Sequence, residues 1–329
     1  MKLGIAGAGK IVNMLFECIH DLPEFELEAI ASTPKSLEKV TAFAKEHGIK
    51  KAYPDYNALL SDDAIEVMYI ASPNHLHYEM SKQALLAGKH VICEKPFTSN
   101  ARELEELMNL ANEKGLILTE AITTQYLPSI LKMKELLPRL GNIKLVCANF
   151  SQYSSRYDAF KRGEILPAFD VTKSGGALMD INIYNAHFVA GLFGAPNEVH
   201  YHANIERGID TSGILTLNYD HFKASLVGAK DCKAPLSVTV QGDLGCLIST
   251  SAPGVAKDFK LVLNDGSEEY YELQGDTNRM AYEFKEFAKM IETKDFAKAN
   301  EMLAISLTVM KIATEARKDA GIVFPADNI

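Results

Sequence analysis

Two glycines, Gly7 and Gly9, stand at the junction between two different hydrophobic periods. Before them, Lys2-Leu3-Gly4-Ile5-Ala6 is a short apolar run suited to a buried strand. After them, Ile11, Val12, Leu15, Phe16 and Ile19 recur at the spacing of one helix face. Strand, glycine turn and helix in that order form the opening unit of a dinucleotide-binding fold. Gly7 permits the turn, and Gly9 lets backbone approach a pyrophosphate. The start of the helix beyond presents N–H groups and the positive end of the helix dipole to the phosphates. Val12 occupies the place of the third glycine in the usual pattern.

Strands and helices keep alternating through the N-terminal third. Phe25 to Ala31 reads as a second strand. The position after such a strand normally carries an acid that binds the adenosine ribose. Here Ser32, Thr33, Pro34 and Lys35 follow. A carboxylate would repel the extra phosphate of NADP by about 3 kcal/mol at roughly 5 Å and an effective dielectric near 20. Two hydroxyls and a cation favour NADP, with NAD as the alternative. Ile65 to Ala71 is a nearly continuous apolar run typical of a strand buried on both faces. It ends in Ser72-Pro73-Asn74-His75-Leu76-His77, a loop expected to border the cofactor because ligands gather at the carboxyl ends of parallel strands. His90 to Cys93 forms the next strand and runs into Glu94-Lys95-Pro96. Asn100 with Glu103 three residues on reads as a capping box, and Leu116 to Ala121 is the last strand of the series, carrying Glu120. The expectation is a doubly wound parallel sheet over residues 1–121.

The texture changes after residue 122. Strand candidates appear at 142–153, 198–205, 213–219, 222–228, 236–241, 245–250, 258–263 and 269–273. Asn264-Asp265-Gly266-Ser267 is a hairpin turn signal. These predict a second α/β domain over 122–298, built on a large, mainly antiparallel open sheet. A helix over 175–193, apolar nearly all round, is expected to cover one face. The second face is expected to pack in a homodimer or homotetramer. Asp180, Tyr184 and His187 share one side of the covering helix, with Asn182 and Asn185 on another. Such a seam either closes a hydrogen-bonded core network or lines a wet cavity, because unpaired burial costs several kcal/mol. Helices over 280–292 and 301–317 close the chain. The segment from about 299 to 329 is expected to pack back on the first domain.

Composition narrows the partners. The 329 residues are 47% hydrophobic and 23% charged, ordinary for a globular protein. A net charge of −9 with no basic run argues against nucleic acid and anionic membrane as partners. The five cysteines are scattered and form no C-x-x-C pair, which suits reduced thiols in a cytoplasmic protein. No cluster has metal-ligand spacing, and no apolar run has the length of a membrane span. The N-terminal apolar run is broken by Lys10 and Asn13, which does not suit a signal peptide.

Four signatures together resemble the Gfo/Idh/MocA oxidoreductase family. They are the N-terminal Gly-x-Gly, Ser72-Pro73-Asn74-x-x-His77, Ala87-Gly88-Lys89-His90-Val91-x-x-Glu94-Lys95-Pro96, and Gly175-Gly176-Ala177-Leu178-x-Asp180-x-x-x-Tyr184. Tyr at position 184 is most similar to the branch of glucose–fructose oxidoreductase and dimeric dihydrodiol dehydrogenase; the inositol dehydrogenase branch holds His there. Asn182 departs from the glycine usual at its position. The resemblance implies cofactor contacts at Gly7, Ala8, Gly9, Lys10, Ile11, Ser72, Pro73, Asn74, His77, Glu94 and Lys95. It also implies a catalytic centre of Lys95 with Asp180 and Tyr184.

The expected reaction is hydride transfer between NADP(H) and a sugar, polyol or related hydroxy or carbonyl compound. Tyr184 is expected to move the hydroxyl proton. A free phenol titrates near 10, and an ammonium such as that of Lys95 favours the phenolate. Lys95 would also stabilise a developing alkoxide, and Asp180 would orient Lys95 or the substrate. Glu120, Arg156 and His187 are further candidates for the substrate pocket. A non-catalytic dinucleotide sensor is the alternative, and the joint presence of Lys95, Asp180 and Tyr184 favours the enzyme.

Overall fold

Six short apolar runs in the first part of the chain assemble into one parallel sheet. The structure, a computed structural model, describes residues 1–328. The strands are β1 (Lys2–Ala6), β2 (Glu26–Ala31), β3 (Lys51–Tyr53), β4 (Val67–Ile70), β5 (His90–Glu94) and β6 (Leu118–Ala121). Their order is β3-β2-β1-β4-β5-β6, with every pairing parallel. This is the doubly wound order, whose direction reverses between β1 and β4. Helices α1 (Lys10–Phe16), α2 (Leu37–Glu46), α3 (Tyr56–Leu60), α4 (His77–Leu86) and α5 (Ala101–Lys114) make the connections. Leu3, Ile5, Val67, Met68, Ile70, Val91 and Ile92 are fully buried, which is why these strands read as continuous apolar runs rather than alternating ones. Burial of each such side chain contributes about 1.5–3 kcal/mol.

A second unit begins after the sheet. It carries α6 (Pro128–Leu136), β7 (Ile143–Ser151), α7 (Tyr157–Lys161), α8 (Ile183–Phe193) and seven further strands. These are β8 (Glu198–Glu206), β9 (Ile209–Asn218), β10 (Lys223–Ala229), β11 (Ser237–Gly242), β12 (Gly245–Ser249), β13 (Asp258–Leu263) and β14 (Glu268–Glu272). The sheet order is β14-β13-β12-β11-β7-β10-β9-β8. All neighbours are antiparallel except β7 and β10, which run parallel at its centre. Val146, Ala148, Ala224, Leu226, Val238, Val240, Leu247 and Leu261 are buried, and the residues alternating with them lie on the opposite face. Helix α8 packs against β7 and β10.

The covering helix differs from the sequence expectation at its start. Residues Leu178–Asn182 form a wide π turn before α8 begins at Ile183. Two glycines, Gly175 and Gly176, stand just ahead of it. Gly176 has a φ of +105°, and a side chain there would collide with the Asp210 carboxylate. Asp210 on β9 instead accepts the Leu178 N–H at 2.6 Å and the Tyr201 hydroxyl at 2.8 Å.

Two long helices close the chain, α9 (Arg279–Thr293) and α10 (Phe296–Asp319). Phe284 of α9 stands edge-on to Phe25 at 5.7 Å and to Tyr69 at 5.3 Å. By compactness the first unit comprises Met1–Thr98, Arg102–Ala121 and Met280–Ala304. The second comprises Ser99–Ala101, Ile122–Arg279 and the chain from Ile305. The segment that rejoins the first unit is thus 280–304, where the sequence reading has 299–329.

Within the second unit the C-terminus is held by a buried clasp. The Arg317 side chain is 1% exposed. Its guanidinium donates to Asp327 at 2.6 and 3.2 Å, to the Ser99 carbonyl at 3.0 Å and to the Ile322 carbonyl at 3.3 Å. It also stacks 3.9 Å from the Phe324 ring centre. Asn100, read from the sequence as a helix cap, gives its amide to Asp327 and to the Ala326 carbonyl. Among the described residues no helix is long and apolar enough to cross a membrane.

Candidate active site

The crevice where the strand order reverses is flanked by the loops that follow β1 and β4. Gly7 has a φ of +127°, and a Cβ there would lie 2.3 Å from the Ala71 carbonyl oxygen. Only glycine fits between the two strands at this point. Its N–H donates to the Ala31 carbonyl at 2.9 Å, tying the turn to the end of β2. A side chain at Gly9 would meet nothing within 4 Å, so the backbone there is open to an approaching ligand. Ala8 and Ile11 are half-buried and Lys10 is exposed. Beyond β2, Ser32 is half-buried while Thr33 and Lys35 are exposed, with the Thr33 and Ser36 hydroxyls 3.1 Å apart.

On the other side of the crevice, the Ser72 hydroxyl oxygen is buried without a hydrogen-bond partner in the protein. A buried hydroxyl is normally satisfied, so this group awaits an acceptor from outside the chain. An open glycine turn beside an unsatisfied buried donor fits a dinucleotide. The residues that would hold it are Gly7, Ala8, Gly9, Lys10 and Ile11 on one loop and Ser72, Pro73 and Asn74 on the other.

His77 fastens the second loop to the one that carries Lys95. Its Nδ1 lies 2.8 Å from the Pro96 carbonyl oxygen and its Nε2 2.8 Å from that of Ser72. A neutral imidazole can donate to only one of these acceptors. Burial holds His77 below its ordinary pKa, the backbone bonds pull the other way, and the Lys95 charge adds to the depression. The folded protein therefore favours neutral His77 more than the unfolded chain does. It follows that stability is lost as pH falls from about 6.5 through the depressed folded-state value. Urea unfolding at pH 7.5 and 5.5 checks this. His77→Gln is expected to flatten the difference, and an unchanged difference would exclude His77 as its source.

The Glu94-Lys95-Pro96 block is built into the sheet on both sides. Glu94 is buried and accepts the Tyr69 hydroxyl from β4 at 2.6 Å. Burial first, and then the Glu94 charge, push the Tyr69 phenol well up, so it stays a donor. Lys95 is half-buried, and the Lys95–Pro96 bond is cis. Glu120 at the end of β6 is 3% exposed and accepts the Phe97 N–H at 3.2 Å. One oxygen of the Glu120 carboxylate thus lies on the backbone of the Lys95 loop.

In the second unit, Asp180 sits in the π turn and Tyr184 one turn later in α8. The Asp180 side chain is 34% exposed and meets the Lys230 ammonium at 2.6 Å. The Tyr184 ring stands 5.8 Å from that of Phe150 and against Gly254, where a side chain would collide with it. The Gly254 carbonyl is fixed by the Thr123 hydroxyl and Arg279, each at 2.9 Å. His187 shares the helix side of Asp180 and Tyr184 but is 1% exposed, in the core. Asn182 and Asn185 turn to the sheet, donating to the Leu226 and Val227 carbonyls at 3.1 and 3.0 Å. Asn182 therefore packs over Gly228, away from the side carrying Asp180. Arg156 is exposed at the start of α7. Lys230 and Asp210 were not singled out from the sequence. Among the described residues no group of three or more His, Cys, Asp or Glu is placed to hold a metal ion.

Comparison with known proteins matches this arrangement along its length. Residues 1–122 match the oxidoreductase family with an NAD-binding Rossmann fold, and residues 130–248 match the GFO/IDH/MocA C-terminal domain. The chain belongs to the Gfo/Idh/MocA family. Among its relatives in that family is the scyllo-inositol 2-dehydrogenase (NADP(+)) IolU of Bacillus subtilis, 35% identical over 99% of both chains. The trans-1,2-dihydrobenzene-1,2-diol dehydrogenase of Sus scrofa is 30% identical over 99% of both. In fold the chain is similar to KijD10, a 3-ketoreductase of Actinomadura kijaniata solved with NADP and TDP-benzene. That match has a TM-score of 0.85 over 97% of each chain at 23% identity. The matched NAD-binding Rossmann region, residues 1–122, contains the first sheet and the loops after β1 and β4 that flank its crevice.

Proposed function

We propose that this chain is an NADP-dependent dehydrogenase or reductase that moves a hydride between NADP(H) and a carbinol or carbonyl carbon of a sugar, polyol or related small molecule. The observation that carries the cofactor choice is the end of β2. Ser32, Thr33 and Lys35 stand there in place of a carboxylate, and the related IolU uses NADP(+). The cofactor supplies the hydride chemistry. The chain's own residues bind and orient it and handle the proton and the charge. Lys95 stabilises negative charge on the substrate oxygen, Tyr184 passes the hydroxyl proton, and Asp180 orients the reacting groups. Relatives that act on scyllo-inositol and on a dihydrodiol support a vicinal hydroxyl or hydroxy-carbonyl substrate.

Absorbance at the reduced-cofactor band, followed across inositols, sugars and dicarbonyls with NADP and NAD, tests the reading. Turnover with no member of the panel would overturn it. Ser32→Asp supplies a sharper check. An added carboxylate is expected to lower kcat/KM with NADP by roughly 30–100-fold and to leave the NAD value within about threefold. Equal losses with both cofactors would separate Ser32 from the 2′-phosphate.

The same reading places the enzyme in the cytoplasm as a homodimer or homotetramer. What supports assembly is the sheet face opposite α8, where Leu145 and Ile214 are 46% and 45% exposed and share their face with Cys147, Val227 and Ile248. Sedimentation velocity at micromolar concentration reads the assembly directly, and a monomer there would remove it.

A further inference from the structure

Lys230 looks unremarkable in sequence, one of two lysines in the short polar stretch after β10. In the structure it is among the most buried charges of the second unit, with 3% of its side chain exposed. Burying an ammonium costs several kcal/mol unless it is paired and hydrogen-bonded. Its Nζ donates to Asp180 Oδ2 at 2.6 Å and to the Ala168 carbonyl at 3.0 Å, and lies 4.5 Å from the Phe169 ring centre. The backbone beneath it is equally fixed. The Lys230 N–H donates to the Thr211 carbonyl and its own carbonyl accepts from Ser154, both at 2.8 Å. Asp231, the next residue, accepts the Thr211 and Ser212 hydroxyls at 2.7 and 2.8 Å. The backbone of this segment is thus anchored to β9, while the ammonium is held against Ala168 and Phe169 with Asp180 as its counter-ion.

Asp180 needs such support because of where it lies. It belongs to the π turn, a local i→i+5 departure from regular helix of the kind often found at functional sites. Asp210 holds the start of that turn through Leu178, and Lys230 holds its carboxylate.

We propose that Lys230 is a positioning residue that fixes the orientation and the charged state of the Asp180 carboxylate for the reaction. The inference rests on the proposed role of Asp180, and goes beyond it by naming the group that sets its geometry. Because the Lys230 ammonium is buried against protein partners, it acts through Asp180 rather than by touching substrate.

A double-mutant cycle tests this, with K230M, K230R, D180N and K230M/D180N assayed on the best substrate of the panel. K230M is expected to lower kcat by roughly 30–100-fold while KM stays within about threefold, and K230R to recover most of the loss. In the D180N background K230M should cost less than about threefold more, because residues acting as a unit are not additive. Multiplying losses, or a K230M enzyme with full kcat, would overturn the assignment. A crystal structure of K230M supplies a reading independent of turnover. The Asp180 carboxylate is expected to leave its position, and its retention there would refute the role. Lys230→Gln, which keeps a polar group of similar reach, serves the same comparisons if the methionine variant does not fold. Full turnover by Lys95→Met would instead remove the functional reading, and the crystal structure would still judge Lys230.

Discussion

Lys95→Met is expected to lower kcat by roughly 10³-fold while NADPH binding, read by fluorescence, changes less than about fivefold. The substitution keeps the length and apolar stem of the side chain and removes only the charge. The loop around it is held by groups that the change does not touch. His77 binds the Pro96 carbonyl, Glu120 binds the Phe97 N–H, and Tyr69 holds Glu94. A loss confined to kcat therefore reports charge stabilisation in the reaction, whereas a parallel loss of cofactor affinity would report a binding role. Retained turnover would take Lys95 out of the mechanism.

The largest effect on stability is expected at the C-terminal clasp. Asp327→Ala should destabilise the protein by about 2–4 kcal/mol, somewhat below the range of about 3–5 kcal/mol for stripping the partner from a fully buried charge. The Asp327 side chain is 18% exposed, so water can reach part of what is lost, but Arg317 stays buried. The shift in Tm is expected to be roughly 3–6 °C. Replacing both partners together, as Arg317→Met with Asp327→Leu, should cost less than Asp327→Ala alone, since no charge is then left unpaired. Burial opposes ionisation of Asp327, but the Arg317 bond and the Phe324 N–H outweigh it and hold the carboxyl below the usual carboxylate range. The stabilisation is therefore present above about pH 4 and is lost as pH falls through the depressed folded value. Calorimetry of the single and double variants decides it. A single variant melting with the wild type would show that the clasp adds nothing.

The readable parts of this chain are those in which one local period or one backbone constraint decides the outcome. Gly7 admits no side chain against Ala71, and the short, nearly unbroken apolar run from Ile65 suits a doubly buried strand. The eight strands of the second sheet were each found, the main difference being β9, which starts at Ile209 because Asp210 and Thr211 bury polar groups that resemble a turn in sequence. The less readable parts are pairings made by single polar residues across long separations. Lys230 and Arg317 resemble solvated lysine and arginine in their local sequence, and only the folded partners Asp180 and Asp327 make them buried ions. The π turn leaves no periodic trace either, and Asp210, which accepts the Leu178 N–H at its start, comes from another strand. Strand periodicity shows that β7 exists, but not that it lies beside β10 in parallel.

That central placement has a consequence for synthesis. Strand β7 leaves the ribosome long before β10 and β11, the two strands that flank it. Until β10 has been translated, the nascent chain carries a nine-residue strand with neither of these neighbours to cover its edges, the kind of segment that chaperones shield.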